Sequence, residues 1–97
     1  ITINHNLKCT KHIDSKNAPI SLITSVGTFT GGELMLENPK TKEKLMKDTH
    51  NKFLLYNGKE WYHWNKPIKG DKFSIVAYNR HGKNRDQIEA TEPKWIN

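Results

Sequence analysis

The chain has 97 residues, a formal net charge of +6 and only 34% hydrophobic residues. That length holds one small domain with a thin core, and no apolar run is long enough to form a membrane-spanning helix, so no membrane partner is expected. A single cysteine, Cys9, excludes an internal disulfide and a multi-thiolate zinc site, and it points to an intracellular compartment, cytoplasmic or nuclear, that keeps thiols reduced.

The chain opens at Ile1 within a strand-like pattern, with no initiator Met and no signal peptide, and reads as the core fragment of a larger domain. Ile1 to Asn4 alternates apolar and polar residues, as a strand with one buried face does. The polar stretch Asn6 to Thr10 leads into His12-Ile13-Asp14. On an extended chain, a separation of two residues puts His12 and Asp14 on the same face. After a turn at Ala18-Pro19, Ile20 to Gly27 is rich in strand formers. The pair Gly31-Gly32 lets the backbone turn tightly into a further strand ending at Glu37. Asn38-Pro39-Lys40 is a turn. Thr41 to His50, crowded with charge around Leu45 and Met46, fits either a short helix or a pair of edge strands.

Phe53 to Tyr56 reads as a strand ending at Asn57-Gly58, a strong hairpin signal. Trp61 to Asn65 forms the next strand, Pro67 to Gly70 a connection, and Lys72 to Tyr78 the last. Residues 1–79 thus form a core, and residues 80–97 a polar tail whose Trp95 packs back on it. Many short strands, close turn signals and almost no helical periodicity read as all-β, with spacing that suits a jelly roll or related barrel.

Alternation along Trp61 to Asn65 places Trp61, His63 and Asn65 on one face, which makes His63 the natural partner of His12 and Asp14. Two histidines and one carboxylate form the facial triad that holds Fe(II) and leaves other coordination positions open. Each piece alone has an ordinary reading: a His-x-Asp pair in a solvated loop, a lone strand histidine satisfied by a hydrogen bond. Lys72, Ser74, Val76 and Tyr78 also share a face, where a cation and a hydroxyl make a cradle for a carboxylate. An exposed lysine at a strand start is the alternative. His5, His50 and His81 have no partner at ligand spacing. The excess of 16 Lys+Arg over 10 Asp+Glu draws polyanions, with a merely solvated basic surface as an equal alternative.

Taken jointly, H-x-D-x-x-N from His12 to Asn17, Ser21, Gly27, F-T-G-G-E-L from Phe29 to Leu34, Asn57-Gly58, His63, Pro67 and G-D-K-F-S-I-V from Gly70 to Val76 resemble the Fe(II)/2-oxoglutarate-dependent dioxygenase superfamily. The nearest likeness is to its nucleic-acid base-oxidising branch of the TET/JBP type. The resemblance implies a cupin-like double-stranded β-helix with iron held by His12, Asp14 and His63. It also implies 2-oxoglutarate held by Lys72 and Ser74, and O2 used to hydroxylate a C–H bond of a nucleic-acid base. Lys72 departs from the arginine usual at its position but matches some prolyl hydroxylases, which keeps a protein substrate open as an alternative. A non-catalytic jelly-roll binding module is a third reading. Asn4 and Asn17 are candidate contacts to substrate, and Trp61 or Trp64 a candidate platform for a flipped or single-stranded base. Core packing is the competing role for both tryptophans.

Overall fold

The structure is a computed structural model that describes residues 1–14, 20–78 and 93–96. These residues form eight strands and no helix: β1 (Thr2–His5), β2 (Ile20–Gly31), β3 (Leu34–Glu37), β4 (Lys44–Lys47), β5 (Phe53–Asn57), β6 (Tyr62–Asn65), β7 (Ile68–Tyr78) and β8 (Lys94–Ile96). All strand pairs are antiparallel. They build a five-stranded sheet in the order β1-β7-β2-β5-β8 and a three-stranded sheet in the order β4-β3-β6. No helix among the described residues is long and apolar enough to cross a membrane.

The larger sheet is organised by β2 and β7, which pair from Ser21↔Tyr78 to Gly31↔Ile68. Period-two alternation turns Ser21, Ile23 and Ser25 of β2 inward, with Leu54 and Tyr56 of β5 and Lys72 and Ser74 of β7, all buried. Leu34 and Leu36 of β3 face them from the other sheet. The apolar core is Ile23, Leu34, Leu36, Leu54, Tyr56 and Trp61, as thin as the composition dictates.

Two local expectations are corrected. The β2 strand does not stop at Gly27 but runs to Gly31, because Gly27 (φ +119°) and Gly70 (φ +106°) let the long β2–β7 ribbon bend without breaking its pairing. The tight turn at Gly31-Gly32, with φ +73° and +69°, carries the chain from one sheet into the other. Asn57-Gly58 is likewise a crossing, since β5 and β6 belong to different sheets. There the Asn57 side chain accepts from the Lys59 and Glu60 backbone N–H groups, forming a polar cap for the turn. The undecided segment resolves as a single edge strand, β4, paired to β3. In the tail, β8 pairs with β5, and Trp95 lies opposite Leu54.

Candidate metal centre

His12, Asp14 and His63 converge. The His12 Nε2 is 3.4 Å and the His63 Nε2 3.5 Å from the same carboxylate oxygen, Asp14 Oδ1. One ligand atom from each residue lies within 4.8 Å of the others. Two ligand atoms each about 2.1 Å from one ion, and about 90–110° apart around it, stand about 3.0–3.4 Å from each other. The two histidine–carboxylate spacings therefore fit a shared ion, while the third pair of ligand atoms lies within 4.8 Å.

Three local features create this convergence. His63 is an inward residue of β6. The segment carrying His12 adds to the free edge of β6 through a pair of backbone hydrogen bonds, His12 N–H to the His63 carbonyl (3.1 Å) and His63 N–H to the His12 carbonyl (2.9 Å). Asp14 is then fixed by its own N–H, which donates to the Gly58 carbonyl at 2.8 Å. Gly58 has to be glycine here for room rather than for conformation. A Cβ on it would strike Asp14 Oδ2 and approach His63 Cε1, while its φ is not in the left-handed region.

The ring orientations are set as well. His12 Nδ1 lies 2.8 Å from the Thr10 carbonyl and His63 Nδ1 3.0 Å from the Trp61 carbonyl. A carbonyl can only accept, so each Nδ1 carries the proton, and each Nε2 presents its lone pair toward Asp14 when the ring is neutral. Burial alone would raise the Asp14 carboxyl, but when the rings are protonated, hydrogen bonding and charge from His63, then His12, outweigh it and hold the group below the usual carboxylate value. The donor set is one ionised carboxylate and two imidazoles whose Nε2 atoms both face it, and with those nitrogens unprotonated the set fits Fe(II).

The three residues border a cavity of about 270 Å³, also lined by Asn4, Cys9, Ser21, Tyr56, Asn65 and Ser74. That size suits a small acid rather than a dinucleotide. Burial pushes the Tyr56 phenol far above its ordinary value, helped by the Asp14 charge, so it stays a hydrogen-bond donor. Burial also raises the Cys9 thiol, whose Sγ sits 3.4 Å from His12 Nδ1.

The other expected site residues divide. Asn4 and Ser74 lie side by side in the β1–β7 register and both face the cavity. Lys72 is no exposed strand-end lysine, being 2% exposed. Its ammonium does not line the cavity but donates to the Gly32 carbonyl and lies 5.7 Å from the Phe29 ring centroid. Burial pulls its pKa down, with Glu33 and Asp48 opposing. Trp61 corrects the stacking expectation. At 3% exposure its ring belongs to the core, and what it offers the site is the carbonyl that orients His63. Trp64 is half-buried against the Lys11 ammonium. Asn17 lies outside the described residues.

Of the remaining histidines, His5 meets Asp71 on the surface and His50 reaches the Gly27 carbonyl. His81 lies outside the described residues. Tyr56 and Cys9 belong to no motif, and Ser21 stands in the resemblance pattern with no role assigned to it. An alternating β5 pattern placing Tyr56 inward was the one available signal.

Comparison with family models, curated proteins and solved structures finds no match.

Proposed function

We propose that this protein is an Fe(II)- and 2-oxoglutarate-dependent dioxygenase that hydroxylates a C–H bond of a nucleic-acid base. The observation that carries the reading is the meeting of His12, Asp14 and His63 from separate parts of the chain on one point beside a small polar cavity. A double-stranded β-helix is supported by the strand order. The chain alternates between sheets at nearly every step, the larger sheet running 1-7-2-5 and the smaller one 4-3-6 with the His12 segment on its edge. The net charge of +6 supports a polyanionic substrate.

Ferrous iron at this site would supply O2 activation coupled to 2-oxoglutarate decarboxylation, with succinate and carbon dioxide as co-products. The protein's part is positioning. Asp14 provides the negative charge, His12 and His63 provide oriented nitrogen donors, and the Thr10 and Trp61 carbonyls keep those rings from turning. Ser74 and Tyr56 offer hydroxyl donors for a carboxylate in the cavity. Lys72 supplies a buried cation with two donors left after Gly32, and its flexible stem allows the ammonium to move toward an incoming anion. Lys72 in place of an arginine is also what favours the second reading, a protein substrate of the prolyl type.

The test is succinate formation from 2-oxoglutarate by protein reconstituted with Fe(II) and ascorbate, offered single- and double-stranded DNA and RNA and proline-rich peptides, with mass spectrometry of the products. Turnover with a nucleic acid, abolished in His63→Ala and raised in apparent KM for 2-oxoglutarate by about tenfold or more in Lys72→Met, is the expected result. Modified peptide in place of modified base selects the second reading. Absence of succinate with every substrate, from protein shown to hold iron, overturns both.

A further inference from the structure

A second cluster of chemistry lies at β8, the edge strand of the larger sheet. The β5–β8 pairing sets Ile96 opposite Phe53 and Trp95 opposite Leu54. These large apolar groups are not covered: Trp95 is 38%, Ile96 44% and Phe53 47% exposed. Two ammonium groups approach the indole, Lys47 at 5.9 Å and Lys52 at 5.3 Å from the ring centroid. Lys47 comes from β4 of the smaller sheet, so the cluster straddles both sheets. Asn51, Lys52, Phe53, Trp95 and Ile96 line a groove of about 610 Å³ with no acidic side chain among them. It lies at the Phe53 end of β5, whereas Tyr56, which borders the metal centre, lies about 10 Å further along that strand.

We infer that this groove binds single-stranded nucleic acid by stacking a base on Trp95 while Lys47 and Lys52 neutralise the neighbouring phosphates. An exposed flat ring is a surface every base can use, and cations at its rim match the charge spacing of a backbone that must run past it. The lysines now lean on the ring by cation–π attraction, and exchanging that contact for a phosphate frees the face for the base. An acidic peptide matches the cations but has no use for the uncovered indole, which is why nucleic acid is favoured. The inference shares only the class of partner with the oxygenase reading and does not require iron.

Fluorescence anisotropy of a labelled single-stranded oligonucleotide of about eight residues, titrated with metal-free protein between about 50 and 200 mM salt, tests it. Trp95→Ala should weaken binding about five- to a hundredfold while Trp95→Phe stays within a few-fold of the parent. Lys47→Ala and Lys52→Ala should each lower the slope of log K against log salt by about one. The lysine variants and Trp95→Phe keep the test open if Trp95→Ala does not fold, as judged by circular dichroism. Oligonucleotide binding insensitive to Trp95 and to both lysines overturns the inference. So does equal, Trp95-dependent binding of an oligoglutamate peptide, which would assign the groove to acidic proteins. Trp95-dependent binding without succinate formation would remove the oxygenase reading alone, and turnover with Trp95-independent binding would remove the groove alone.

Discussion

A single missing side chain shapes the metal centre. Gly58 lets the Asp14 carboxylate lie against the β5–β6 crossing, where a methyl group would collide with Oδ2. Because its φ is not left-handed, alanine is tolerated by the backbone, and the whole penalty falls on the carboxylate. Gly58→Ala should therefore lower affinity for Mn(II), an oxygen-inert stand-in for Fe(II), by about 10- to 100-fold, with metal-free stability changed by about 1 kcal/mol or less. Calorimetric titration reads the first and urea denaturation the second. Unchanged Mn(II) affinity would show that Asp14 can take another position. The Asn57-Gly58 pair was visible in the sequence, but as a hairpin signal. The same two letters serve a turn cap and a close approach here, and only the position of Asp14 distinguishes the uses. His12 and Asp14 were legible as a pair because residues two apart on an extended chain share a face, and His63 was added to them by the facial-triad pattern and the resemblance rather than by alternation. Tyr56 and Cys9 were not, since their place at the site depends on which strands become neighbours.

At the level of elements, the segment bearing His12 is held to the smaller sheet by little backbone, and Lys11 supplies the rest. Its ammonium donates to Glu37 Oε2 at 2.8 Å and lies 5.2 and 5.3 Å from the Tyr62 and Trp64 ring centroids. Lys44 reaches the other Glu37 oxygen at 3.8 Å. The hydrogen bond from Lys11, with its charge and that of Lys44, keeps the Glu37 carboxyl below its ordinary value despite burial. A carboxylate depressed in the folded state stabilises it above the ordinary value of 4.5, and that contribution disappears as pH falls through the lower folded value. Urea midpoints should thus drop more steeply below about pH 4.5 in the parent than in Glu37→Gln, and the difference between the two curves isolates this group from every other carboxylate. Parallel curves would remove Glu37 from the clamp. Lys11→Met, which keeps the stem over the rings, should weaken Mn(II) binding by loosening His12 while leaving β3–β6 pairing intact. This clamp was hidden in the sequence because Lys11 and Glu37 belong to elements 26 positions apart that no periodicity connects. The all-β class was legible for the opposite reason, since alternation and turn residues are local properties of each strand.

For the whole molecule, the small core sets the balance. Among the described residues, six side chains form the apolar centre, and inward positions that a larger domain would fill with leucine are here Ser21, Ser25, Lys72 and Ser74. Such a chain gains little from burial and correspondingly much from any ion that binds the folded state alone. At a free metal concentration about a hundred times Kd, the linkage is about 2.7 kcal/mol. In a domain of this size each kcal/mol moves Tm by about 4–8 °C. Mn(II) should therefore raise Tm by about 10–20 °C, most of that shift should vanish in His63→Ala, and Lys72→Met should retain it, because Lys72 contacts Gly32 and Phe29 rather than the metal-ligating atoms. Differential scanning calorimetry at matched free Mn(II) makes the comparison. A shift of equal size in His63→Ala would place the ion elsewhere.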